Sequence, residues 1–211
     1  MTIQQEAFEK LAQSVIQALN KRNMDGYYFE TSKACTDFIL SMIPEGSSVS
    51  FGGSETLKET GMLTALHNGK YSVIDRAAAK NETEMREIYA RTVLSDYFFM
   101  STNAITTDGI LVNIDGNANR VACLCQGPRH VFILAGKNKF VSSVEEAVSR
   151  IHCYACPPNA IRLKRNTPCA ATGICGNCLA DDCFCNQIVV TRRSKHKGRI
   201  HVFLINENLG F

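Results

Sequence analysis

A chain of 211 residues, 45% hydrophobic and 20% charged, carries enough apolar surface to bury its own core, which excludes a disordered chain. Its net charge of +3 is too mild to argue by itself for a nucleic-acid partner, and no apolar run reaches the length of about eighteen residues that a membrane-spanning helix needs. The opening MTIQQEAFEK has neither the basic start nor the apolar stretch of a secretory signal, so a cytoplasmic location is expected. In that compartment ten cysteines point to a metal site or redox chemistry before a disulfide framework.

In chain order, Phe8, Leu11, Val15, Ile16 and Leu19 fall at helical spacing and predict an amphipathic helix over 5–21. GYYFE at 26–30 reads as a short aromatic strand. TSKACTDFILSMIPEG then reads as a helix, capped by Thr31 or Ser32 and stopped by Pro44 and Gly46. SSVSF predicts a strand that runs through Gly52-Gly53 into another helix. YSVIDR, NETEMREIYARTVLS and DYFFMST continue the alternation as strand, helix and strand. GILVNID and NRVACLCQG flank DGNA and read as a hairpin, HVFILAG as a buried strand, and 143–151 as a helix. Two last strands, NQIVVTRR and GRIHVFLIN, are expected to be joined by the basic turn SKHKG. Alternation from 26 to 152 predicts an α/β sheet of βαβ units with an inserted hairpin.

Two stretches could build a ligand site. Gly52, Gly53, Ser54, Glu55 and Thr56 form a strand-to-helix turn whose backbone N–H groups could face a phosphate or carboxylate. The plainer reading is a tight turn with Ser54 as helix cap and Glu55 favourable to the helix dipole. The turn lacks both the dinucleotide fingerprint and the P-loop lysine. The stretch 101–120 concentrates Asn103, Thr106, Asp108, Asn113, Asp115, Asn117, Asn119 and Arg120 where a strand ends, the place where open α/β sheets bind ligands. Glu55, Asp108 and Asp115 are the acid–base candidates. Lys137 and Lys139 follow a buried strand, and Lys137 is the candidate partner for an anion.

SFGGSETLKETGM, STNAITTDGILVNIDGNANRVA, GPRHVFILAGKNK and VFLINENLGF together resemble the LUD-domain (lactate-utilisation protein C-like) family over nearly the whole chain. The resemblance is closest to a subgroup with a motif T-P-C…T-G-x-C-x-x-C…C-N, matched here by Thr167, Pro168, Cys169, Thr172, Gly173, Cys175, Cys178, Cys185 and Asn186. Cys183 stands where that subgroup is expected to carry another residue, and Cys153 and Cys156 look like additions. The resemblance implies a single α/β domain over 1–211, with a three-layer sheet similar to the CoA transferases and ribose-5-phosphate isomerase and a cysteine-rich insert at 153–186. It also implies a Gly52–Glu55 substrate turn and a part in oxidising lactate alongside iron–sulfur partner proteins. Whether the chain is itself an enzyme, an iron–sulfur-dependent oxidoreductase or a lyase component, stays open, as does homo-oligomer formation.

The spacing C-x5-C-x2-C-x6-C over Cys169, Cys175, Cys178 and Cys185 offers four thiolates, which suit a [4Fe–4S] cluster or tetrahedral zinc. It matches neither the ferredoxin run nor two paired knuckles. The iron–sulfur association of the family favours the cluster; zinc would make the segment a structural clip in a non-catalytic subunit. A third choice is no metal, with disulfides or free thiols instead. Cys35, Cys123 and Cys125 read as core residues, the last two on opposite faces of a strand. The five basic residues within 192–199 read as a solvated turn, with docking to an acidic partner or nucleic acid as the sharper alternative.

Overall fold

The computed structural model describes residues 2–211, and it is a mixed α/β protein built on two sheets. Helix α1 (Ile3–Lys21) begins at a reciprocal capping box between Thr2 and Gln5, which sets its start two residues before the position expected from apolar spacing. Strand β1 (Met24–Phe29) and helix α2 (Ser32–Ser41) follow; the Thr31 hydroxyl caps α2 by accepting from the Ala34 N–H. Next come β2 (Ser48–Phe51), the short helices α3 (Glu55–Glu59) and α4 (Met62–Asn68), β3 (Ser72–Ile74), α5 (Glu82–Val93) and β4 (Tyr97–Ser101). The middle of the chain holds β5 (Ala104–Thr106), β6 (Leu111–Asp115), α6 (Asn119–Cys125), β7 (His130–Gly136), β8 (Phe140–Val141) and α7 (Val144–Arg150). A π-helical turn (Ile151–Ala155) leads into α8 (Cys156–Arg162), then come α9 (Pro168–Thr172), β9 (Gln187–Thr191) and β10 (Ile200–Ile205).

The main sheet has the order β1-β10-β7-β4-β2-β3, and every neighbouring pair is parallel. Both of its faces are covered, as a parallel sheet requires. Phe8, Val15 and Leu19 of α1 pack with Met100, Ile133 and Leu204 on one side. Ile39, Leu57 and Leu66 of α2, α3 and α4 pack with Phe99, Phe132 and Phe203 on the other. The second sheet, β8-β5-β6-β9, packs against α7, the π-turn and the start of α8 through Val112, Ile114, Ala147, Ile151 and Cys156.

The structure corrects three expectations. The inserted hairpin is β5–β6, turning at Asp108-Gly109, and the segment NRVACLC forms the helix α6. Short apolar runs do not reveal their period, and here Ala118 in left-handed backbone (φ 62°) starts a helix whose last carbonyls, Cys123 and Leu124, accept from the Arg199 guanidinium. Cys123 is therefore core, but Cys125 is exposed. The two last strands do not form a hairpin. β10 is buried along its whole length and sits between β1 and β7, whereas the half-exposed β9 pairs with β6 at the edge of the small sheet.

Gly136 ends β7 beside the segment that follows β10. A Cβ there would lie 2.6 Å from the Glu207 carbonyl oxygen and 2.8 Å from the Leu209 nitrogen, both backbone atoms that cannot step aside cheaply. Gly136→Ala is expected to cost about 1–3 kcal/mol by overpacking, measured as a lower urea midpoint with unchanged slope. A variant as stable as the parent would mean that the 206–211 segment moves freely.

Candidate functional site

In a parallel sheet the carboxyl ends of all strands face one way, and the segments leaving them meet there. Here the segments after β2, β3, β4 and β7 line a cavity of about 260 Å³, closed on its far side by α8 and by Phe184. Five basic side chains, Arg76, Arg120, Lys139, Arg162 and Arg165, line it against two acidic ones, Glu55 and Asp115. The site is cationic, and its groups differ in how far they are already engaged.

Arg120 is fully engaged. Its Nε donates to Asp115 Oδ2 (3.1 Å), Nη1 to the Ser101 carbonyl (3.1 Å) and Asn113 Oδ1 (2.8 Å), and Nη2 to Asn103 Oδ1 (2.9 Å) and the Ile114 carbonyl (2.9 Å). A guanidinium has five N–H donors, so none remains for a ligand. Burial pulls its pKa down and Asp115 holds it up. Asp115 is spent as well, since its other oxygen accepts from the Ala118 N–H at 3.0 Å. Gly52 is glycine because a Cβ there would lie 3.1 Å from Cγ of the Arg120 arm. These residues build the cavity floor.

Other groups remain available. Arg76 is exposed at the mouth; its side chain makes no hydrogen bond or ion pair among the described residues, and its Nη2 would be 2.5 Å from a Cβ on Gly53. Glu55 Oε1 meets Arg162 at 3.2 Å and Lys58 at 2.8 Å, leaving Oε2 open. Ser54 caps α3 by accepting from the Leu57 N–H at 3.3 Å, and Thr56 donates to the Leu209 carbonyl at 3.2 Å, so both hydroxyls serve the turn itself. Asn117 is exposed at the rim. Lys139 is 2% exposed, and its ammonium donates to the Phe211 carbonyl. Burial, and then the nearby Arg150 and Arg120, lower its pKa to about 7, against a smaller opposing pull from Glu59.

Among the acid–base candidates the structure brings Glu55 and Asp115 into the cavity and leaves Asp108 outside. Asp108 sits in the β5–β6 turn, where it accepts from Thr106 and pairs with Arg22 at 2.6 Å. Thr106 and Lys137 lie outside the cavity too, and Lys139 takes the place expected of Lys137. Arg76, Asn159 and Arg162 have no sequence motif. The one usable signal is position: Arg76 and Lys139 follow the carboxyl ends of parallel strands.

The cysteine segment lies against this cavity through Cys156 and Phe184. Its thiols are the right donors for iron–sulfur or zinc: Cys169 is buried in α9, and Cys175, Cys178 and Cys185 are half-buried in the segment that follows it. No group of three or more His, Cys, Asp or Glu side chains among the described residues is set to hold a metal ion. Cys185 Sγ lies 3.3 Å from Cys156 Sγ, and Cys183 neighbours both Cys178 and Cys185. Cys169 instead contacts the Thr167 hydroxyl at 3.3 Å. The loop supplies donor chemistry, and its fourth motif thiol is engaged with a cysteine outside the motif.

The fold and cavity define an α/β protein with a cationic cavity at the carboxyl edge of a parallel sheet, the place where open α/β sheets bind ligands. The LUD domain profile matches residues 12–205, and the chain belongs to that family. A DUF162 family protein from Deinococcus radiodurans is similar in structure over 93% of this chain and 97% of its own, at 10% identity and TM-score 0.52. eIF2B delta from Chaetomium thermophilum aligns over 68% of this chain and 55% of its own, at 16% identity and TM-score 0.37. No curated protein matches the chain. Among the described residues no helix is long and apolar enough to cross a membrane.

Proposed function

We propose that the protein is an enzyme or enzyme component that binds a small carboxylate or hydroxy acid in this cavity, in a lactate-utilisation role in the cytoplasm. The observation that carries the reading is the pairing of an uncompensated guanidinium, Arg76, with a buried amine, Lys139, in one small polar cavity. A carboxylate accepts from Arg76 at the mouth, beside the Gly53 backbone. Lys139 at the inner end, titrating near neutrality, holds or accepts a proton on the ligand's hydroxyl, and Glu55 Oε2 is the second group able to move one. Arg120, Asn103 and Asp115 hold the floor rigid, with Asn117 at the rim.

In the same proposal Cys169, Cys175, Cys178 and Cys185 hold a [4Fe–4S] cluster, which when bound supplies electron transfer or a Lewis-acid iron, and iron–sulfur proteins are the partners. Zinc in its place would make the loop a clip in a non-catalytic subunit. Anaerobic purification with iron, zinc and acid-labile sulfide analysis decides between them, and a metal-free protein would end both.

Binding tests the cavity separately. Isothermal titration with lactate, pyruvate and glycolate is expected to show binding that weakens about 10- to 100-fold in Arg76→Ala, the loss of one charge-assisted contact. Equal affinity in parent and variant, or no binding of any of the three, would sink the carboxylate reading.

A further inference from the structure

We infer that Cys156 and Cys185 form a reversible disulfide at the outer wall of the anion cavity. The two sulfurs are 3.3 Å apart, in van der Waals contact, although the residues are separated by the whole cysteine segment. Cys156 is 3% exposed, lines the cavity and belongs to the apolar cluster of the small sheet; Cys185 packs against that cluster and is half-buried. One thiol is held rigidly and the other is reachable, the arrangement that lets an oxidant enter at one sulfur and be expelled by its neighbour.

The oxidant is a small-molecule disulfide. Cys185 attacks one of its sulfurs, forming a mixed disulfide and releasing the first thiol. Cys156 then attacks the Cys185 sulfur, releasing the second. Two protein thiols lose two protons and two electrons, and the small disulfide leaves as two thiols.

The bond has a structural consequence for the cavity. Cys156 is the first residue of α8, the helix that presents Asn159 and Arg162 to the cavity. Cys185 follows Phe184, whose Cβ would lie 2.9 Å from a Cβ on Gly116, another residue that lines the cavity. Oxidation ties α8 to the segment that carries Phe184.

The inference goes beyond the proposed function and shares with it only Cys185. The full chain is purified anaerobically and divided. One portion is analysed for iron, zinc and sulfide, which judges the cluster proposal alone. The other is treated with a chelator, exposed to oxidised glutathione, alkylated and digested with trypsin. The expected product joins peptides 151–162 and 166–192, with fragmentation placing the bond at Cys156 and Cys185. It disappears with dithiothreitol and in Cys156→Ser, and persists in Cys153→Ser. A bond at Cys153, a bond from Cys185 to another loop cysteine, or full alkylation of every thiol overturns the inference.

Discussion

Replacing Arg120 with methionine is expected to destabilise the fold by about 3–5 kcal/mol, the range for removing one partner of a buried ion pair. The side chains of Arg120 and Asp115 are only 14% and 9% exposed, so little solvent would take over the lost contacts. Methionine keeps most of the arm that packs on Gly52 but leaves the Asp115 carboxylate without its counter-ion. The Asn103 and Asn113 side-chain oxygens and the Ser101 and Ile114 carbonyls also lose the donor that joins them. For a chain of this length, such a loss lowers the melting temperature by roughly 10 °C. Arg120→Lys keeps the charge with three donors instead of a planar fork, and should fall between the two. Thermal and urea unfolding of both variants would check this. A methionine variant within about 1 kcal/mol of the parent would show that the network adds little.

Lys139 gives the second large effect, in the pH dependence of stability. Its pKa is near 10.5 unfolded and about 7 in the fold. Between those values the unfolded chain binds more protons than the native one, so this residue makes stability rise with pH across that window. Below pH 7 the cost of burying the charged ammonium is present in full; above 10.5 it is gone. Lys139→Met should therefore raise stability most at acid pH and flatten the slope between pH 7 and 10. Urea midpoints measured from pH 6 to 10 would show this, and parallel curves for parent and variant would remove Lys139 as the cause. The same titration reaches the ligand. An anion beside Lys139 favours the charged form, so affinity is expected to weaken as pH rises through about 7, and the variant should lose that dependence.

Much of the secondary structure was legible because its determinants are local. The apolar spacing of Phe8, Val15 and Leu19 and the Thr31 cap lie within one or two turns of the helices they define. The Gly52-Gly53 turn and the polar concentration at 101–120 likewise marked two walls of the cavity before any geometry was known, because strand ends in an alternating chain are where ligands gather. The cysteine run and the LUD-like stretches also declared themselves in the sequence. The assignment of NRVACLC as a strand failed because alternating apolar residues in so short a run carry no decisive period, and Arg199, far along the chain, caps it as a helix.

The rest belongs to the tertiary structure. Parallel strands are joined by crossovers, so neighbours in the sheet are distant in sequence, and no local pattern says that Glu55 will face Arg162 or that Arg120 will gather Asn103 and Asn113. Lys137 and Lys139 are indistinguishable as letters; only the turn after β7 buries one and leaves the other outside the cavity. Cys156, an addition to the cysteine motif, meets Cys185 because the chain loops out and returns to the same wall. The sequence by itself determined most of the elements, the family and the supply of thiols. Which charges are spent, which amine titrates near neutrality and which sulfurs touch were decided by packing, since burial and contact across the sheet arise only once the chain has closed on itself.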